Sequence, residues 1–137
     1  MKALSITLMF DGQTEEAFNF YKSVFGGEFF AVQRMREMPS PEPISAEEGE
    51  KILYMGLKVA GGTLAGMDMP KGRGDVNIGN NFMITLDTES EEETTKLFNG
   101  LSAGGMVMMP LDHQFWGAFF GMFTDKFGIQ WMVSYVK

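Results

Sequence analysis

The chain has 137 residues, 45% of them hydrophobic and 13% aromatic, with 13 Phe, 13 Met and no Cys. That length fits one domain with a real core, and the composition is too apolar for a disordered chain. A formal net charge of -7 argues against nucleic acid, whose phosphates are bound through a Lys/Arg surface, and the lack of Cys removes disulfides, thiolate nucleophiles and Cys-metal sites.

From Ser5 to Phe10 the residues alternate, Ile6, Leu8 and Phe10 against Ser5, Thr7 and Met9, which predicts a strand. Thr14 followed by Glu15 and Glu16 reads as an N-cap with acids in the first turn, and Ala17, Phe18, Tyr21, Val24 and Phe25 then recur at helical spacing. Gly26-Gly27 supplies the stop. Glu28 to Arg36 is predicted to be a strand. Met38 to Gly49, with three Pro and several acids, reads as a mobile loop. Ile52 to Val59 and Thr63 to Met67 are predicted strands around a turn at Gly61-Gly62.

Pro70 to Gly79 reads as a connector, after which the pattern restarts. Phe82, Ile84 and Leu86 alternate against Asn81, Met83 and Thr85, and Ser90-Glu91-Glu92-Glu93 predicts a capping box at the head of a helix carrying Leu97, Phe98 and Leu101. Met106 to Met109, Phe119 to Thr124 and Ile129 to Val136 supply three further strands, the last two joined at Asp125 to Gly128. Asp11 and Asp87, like Thr14 and Ser90, lie 76 residues apart, so the chain reads as a repeated βαβββ unit. The expectation is an α+β fold in a single domain over 1–137, with one module over 1–70 and the second over 78–137. Its eight strands would wrap into a cupped mixed sheet with helices outside.

The apolar helix stripes need an apolar strand face, which assigns Ile6, Leu8, Phe10, Phe82, Ile84 and Leu86 to the helices. Ser5, Thr7, Met9, Asn81, Met83 and Thr85 then line the cup, a softly apolar interior suited to a small molecule. His113, the one histidine, sits in a polar stretch from Leu111 to Gln114 and reads as a solvated loop residue. Trp116 is a wall of the cup, a dimer anchor or core filling. Tyr54 either hydrogen-bonds a ligand or is buried for structure. Asp68 is expected to cap a turn, and Glu15, Glu16 and Glu91 to Glu93 are explained by the helix dipole. No Ser-His-Asp or Cys-His arrangement, phosphate loop or metal-spaced His pair is present.

Five segments carry a family resemblance: Phe10-Asp11-Gly12, Glu16-Ala17 through Phe20-Tyr21, Val24-Phe25-Gly26-Gly27-Glu28, Phe115-Trp116-Gly117 with Phe120-Gly121, and the run from Thr124 to Met132. Together they resemble the PhnB-like branch of the glyoxalase, bleomycin-resistance and extradiol dioxygenase (vicinal oxygen chelate) superfamily. Such sequences also resemble those labelled 3-demethylubiquinone-9 3-methyltransferase. Methyl transfer is not expected, because it needs a Gly-rich strand-to-helix turn over an α/β sheet, and the turns here at Asp11 and Asp87 are acid-capped. In metal-dependent members, the resemblance implies His or Glu ligands on the first and last strand of each module. By strand register those positions are Ser5, Ala65 or Gly66, Asn81 and Met132, none of them His, Asp or Glu, so no metal or other cofactor is expected.

The expected function is therefore capture of a small apolar or aromatic molecule by Ser5, Thr7, Met9, Tyr54, Asn81, Met83, Trp116 and Met132, with no catalytic residue assigned. The alternatives are a metal-dependent lyase or isomerase of the glyoxalase kind, or a dimeric interaction module. The resemblance and the exposed strand edges imply a homodimer. The apolar stretches are of strand length, short of the ~20 residues of a membrane span, and Met1 to Gly12 lacks the features of a signal peptide; no membrane partner and a cytoplasmic location are expected.

Overall fold

The computed structural model describes every residue from Met1 to Lys137. The chain forms two compact units, Met1–Val76 and Asn77–Lys137. In the first, strand β1 (Ile6–Phe10) leads to helix α1 (Thr14–Phe25), followed by β2 (Phe29–Arg34), a 3-10 turn at Met35–Glu37, a short helix α2 (Ala46–Glu50), β3 (Ile52–Val59) and β4 (Gly62–Asp68). The second holds β5 (Ile84–Asp87), α3 (Glu91–Ser102), β6 (Met106–His113), β7 (Ala118–Thr124) and β8 (Gln130–Val136).

The strands are hydrogen-bonded as two four-stranded sheets of the same order, β1-β4-β3-β2 and β5-β8-β7-β6. In each, the opening strand lies parallel to the closing one, and the other pairings are antiparallel. This is the βαβββ module twice. A helix after the opening strand carries the chain over the sheet, as a parallel pairing requires.

One face of each sheet packs on its helix. Leu8, Phe10, Met55, Leu57 and Leu64 are buried with Ala17, Phe18 and Tyr21 of α1. Gly66 lies beneath Phe18, where a Cβ would come within 2.5 Å of the ring, so glycine in this strand interior is what lets the helix approach. In the second unit Ile84, Phe123, Trp131 and Val133 are buried with Phe98 and Leu101, and Gly121 lies beneath Phe98. Phe98 meets Phe123 edge to face at 5.3 Å.

Two buried aspartates organise the strand ends. Asp68 Oδ1 accepts the backbone N–H and the hydroxyl of Thr14 at 3.0 and 2.6 Å, and its Oδ2 accepts the Ile52 N–H at 2.8 Å. Asp125 accepts the N–H groups of Phe127 and Ile129 and the indole N–H of Trp131. Each carboxylate thus replaces its lost hydration with three donors, the condition for burying such a group.

Several expectations are corrected. Thr14 is the first residue of α1 rather than its cap; Gln13 holds the cap position with no side-chain bond, and Asp68 serves the helix end instead. The second strand stops at Arg34, where the chain turns into the 3-10 segment. The loop from Met38 contains α2, capped by the Ser45 hydroxyl on the Glu48 N–H. The β3–β4 turn falls at Ala60-Gly61, with Gly61 at φ 81° and Gly62 already in β4. Ile6 is 38% exposed, so α1 covers only Leu8 and Phe10 of its strand.

The fifth strand starts at Ile84, leaving Asn81, Phe82 and Met83 outside it, with Phe82 54% exposed rather than packed on a helix. Ile84 is opposite Trp131, so Phe82 would need Ile129, whose N–H is already donated to Asp125. The sixth strand runs on to His113, so His113 ends a strand. Pro110, which has no N–H to donate, is tolerated because β6 lies at the sheet edge.

Candidate functional site

Side chains of paired residues share a sheet face, which defines the face away from each helix. In the first sheet Thr7 lies beside Ala65 and Gly56, and Met9 beside Met67. Tyr54, two residues from Gly56, shares this face. The ring of Phe30 covers the position a Cβ on Gly56 would take, and it meets the Tyr54 ring at 6.4 Å. Thr7 and Met9 are exposed, Tyr54 and Met67 half-buried.

In the second sheet Thr85 lies beside Met132, and Met132 beside Met122. Phe120, two residues from Met122, stands beside Ser134. Trp116, in the β6–β7 turn, meets Phe120 edge to face at 5.5 Å and Phe115 at 5.1 Å. A continuous run of Trp116, Phe120, Met122 and Met132 therefore covers this open face. Phe120, Met122 and Met132 are half-buried, and Trp116 is 51% exposed.

Of the residues singled out from sequence, Thr7, Met9 and Tyr54 share the open face of the first sheet, and Met132 joins Trp116 through Phe120 and Met122 on that of the second. Ser5 precedes β1 and is exposed. Asn81 and Met83 lie on the irregular approach to β5. Phe30, Phe120 and Met122 were missed. Alternation within β7 separates Phe120 and Met122 from Phe119, Gly121 and Phe123, and with the register of β8 it would have found Phe120 and Met122.

The positions that correspond to a family metal site do not fit one. Ser5, Asn81 and Met132 offer a hydroxyl, an amide and a thioether; Ala65 offers nothing, and Gly66 lies on the helix side. A divalent ion wants carboxylate or imidazole ligands, and no group of three or more His, Asp or Glu side chains is placed to share an ion. The buried carboxylates of Asp68 and Asp125 are already engaged by three donors each.

Two ionic groupings lie elsewhere. Arg34 grips Glu15 of α1 through both guanidinium nitrogens, at 2.6 and 3.2 Å, and donates to the Glu50 carbonyl. The Arg34 hydrogen bond holds the Glu15 carboxyl below the usual glutamate range, against partial burial and with help from the Arg34 charge. His113, 70% exposed, has its Nε2 3.0 Å from Glu91 Oε1 and its ring 4.8 Å from that of Phe119.

Residues 2–134 match the family described as 3-demethylubiquinone-9 3-methyltransferase. The chain is 32% identical to protein YjdN of Escherichia coli K12, over 98% of this chain and 95% of that protein. Among solved structures it is similar to protein PA1353 of Pseudomonas aeruginosa, at 38% identity, TM-score 0.83 and 98% of each chain. It is also similar to a Bacillus cereus PhnB protein described as a putative 3-demethylubiquinone-9 3-methyltransferase, at 25% identity and TM-score 0.77, over 98% of this chain and all of that one. A glyoxalase/bleomycin resistance protein/dioxygenase family enzyme from Burkholderia phytofirmans shares the fold at 14% identity and TM-score 0.63, over 97% of each chain.

Proposed function

This chain belongs to the PhnB-like branch of the glyoxalase/bleomycin resistance/dioxygenase superfamily, the family described as 3-demethylubiquinone-9 3-methyltransferase, and we propose that it binds a small apolar or aromatic molecule without a metal ion. The observation that carries this reading is the run of Trp116, Phe120, Met122 and Met132 over a sheet face that no helix of its unit covers. Thioethers adapt to a ligand's outline, and aromatic edges and faces give it orientation. Thr7, Met9, Tyr54 and Met67 offer a similar surface on the first sheet, with the Thr7 hydroxyl and Tyr54 phenol as polar handles.

Methyl transfer is not part of this proposal. The β1–α1 turn, Asp11-Gly12-Gln13, lacks the glycine-rich phosphate-binding form that nucleotide cofactors use at such turns, and a family description does not by itself supply a site. We propose further that the chain forms a homodimer, because the edge strands β2 and β6 carry the exposed apolar residues Phe30, Val32 and Met106 to Met109. Sedimentation at micromolar concentration that showed only monomer would reject the dimer. No helix is long and apolar enough to cross a membrane, and a cytoplasmic location agrees with the Cys-free composition.

Tryptophan fluorescence tests the binding proposal. Trp131 is 1% exposed and Trp116 51% exposed, so Trp116 is the responsive indole. Titration with 8-anilinonaphthalene-1-sulfonate is expected to give saturable energy transfer from Trp116, weakened strongly in Met132→Glu. Absence of saturation would sink the proposal. A stoichiometric divalent ion in protein purified without chelator would instead favour a glyoxalase-type lyase or isomerase, and a dimer that takes up no probe would favour an interaction module.

A further inference from the structure

On the helix side of the second sheet, at the first turn of α3, lies an open depression of about 420 Å3 lined by Ser90, Glu91, His113, Phe119, Tyr135 and Lys137. Phe119 and Tyr135 are paired across β7 and β8, and His113 is paired with Phe119 across β6 and β7. All three share the face of Gly121, over which Phe98 of α3 packs. The depression is therefore on the opposite side of the sheet from Phe120, Met122 and Met132.

The separation of His113 Nε2 and Glu91 Oε1, 3.0 Å, fixes where a proton lies. Two acceptor lone pairs at that distance repel, so Nε2 carries the hydrogen and donates it to the carboxylate. In the neutral ring Nδ1 is then the acceptor. Glu91 is the first residue of the twelve-residue α3. The imidazole is steadied by the tilted Phe119 ring, and its backbone is held both by the strand ladder and by donation of the His113 N–H to Asp112 Oδ1 at 2.8 Å.

We propose that this depression is a second ligand site, in which the Glu91-oriented imidazole of His113 accepts a hydrogen bond from the hydroxyl of a small phenol seated against Phe119 and Tyr135. The two rings supply faces for an aromatic ligand. The hydroxyl proton stays on the phenol oxygen and is shared with Nδ1, so the ligand remains neutral. The carboxylates of Glu91 and Asp112, in a chain of net charge -7, oppose a ligand that arrives already anionic, such as a carboxylate or phosphate. A neutral proton donor meets no such repulsion.

The test uses 4-nitrophenol, whose absorbance responds to hydrogen bonding at its hydroxyl, with the full chain. Since His113 is the one histidine, its ring nitrogens give unambiguous NMR signals. The wild-type protein is expected to bind the probe saturably, read as a change in its absorbance, and to show the Nε2–H tautomer before addition. His113→Gln should weaken binding about tenfold, as loss of one hydrogen bond implies. Glu91→Gln should weaken it less and redistribute the tautomers. Both side chains are at least half exposed, so neither variant threatens the fold. No saturable binding, equal binding by His113→Gln, tighter binding of benzoate than of 4-nitrophenol, or displacement of the probe by 8-anilinonaphthalene-1-sulfonate would each overturn the proposal. The proposal that the open face binds apolar molecules stands or falls separately.

Discussion

Asp68 Oδ1 receives both the N–H and the hydroxyl of Thr14, a residue 54 positions away in the chain, at 3.0 and 2.6 Å. The end of β4 thereby serves the start of α1. Asp68 and Thr14 are 1% and 0% exposed, so solvent does not reach this pair in the folded chain. Asp68→Ala should cost about 3 kcal/mol, because the N–H groups of Thr14 and Ile52 would be left buried without acceptors. Urea unfolding reads this directly. Asp68→Asn retains one acceptor but turns an amide N–H toward another donor, and should fall between Asp68→Ala and wild type.

Gly66 and Gly121 each carry an aromatic ring of a covering helix, Phe18 and Phe98 respectively. Gly66→Ala places a methyl within 3 Å of the Phe18 ring and of the Thr14 methyl, and Gly121→Ala does the same beneath Phe98 at 2.7 Å. Overpacking of this kind costs about 1–3 kcal/mol. Each should lower the melting temperature, whereas replacing Thr85, exposed on the open face, by Ala should not.

The Glu15–Arg34 pair predicts a pH signature. Arg34 lowers the Glu15 pKa in the folded chain, so the pair's contribution is present above the ordinary glutamate range and is lost as pH falls through the lowered value. Because Glu15 is about half exposed, Glu15→Gln should cost less than about 1 kcal/mol at neutral pH. The stability difference from wild type should vanish in acid, and persistence of the gap below both values would reject this assignment.

Local patterns were the legible part of the sequence. β3 falls at Ile52–Val59 as predicted, because an apolar run interrupted only by Lys58 ends at a glycine turn. The Ser90 hydroxyl caps α3 by accepting from the Glu93 N–H, since the chemistry of that cap lies within four residues; the Glu93 carboxylate reaches the N–H of Glu89 instead of Ser90. What local sequence could not convey depends on distant partners. Thr14 reads as a cap until Asp68 is brought to it, and Asn81 and Met83 alternate like a strand but have no ladder partner below Ile84. Thr7 and Met9 were assigned to the open side from alternation alone, whereas Tyr54 and Met132 were singled out through the family resemblance. Phe120 and Met122 needed the register of β7 on β8. His113 looked like a loop residue because Pro110 masks the strand that carries it.

The most direct test of metal-free binding is methyl NMR of the thirteen methionines in chelator-treated protein as 8-anilinonaphthalene-1-sulfonate is added. The account predicts saturable shifts at Met122 and Met132, with no change at Met35 and Met55, which are 4% and 2% exposed. Shifts that emerge only after a divalent ion is restored, or that spare Met122 and Met132, would contradict it.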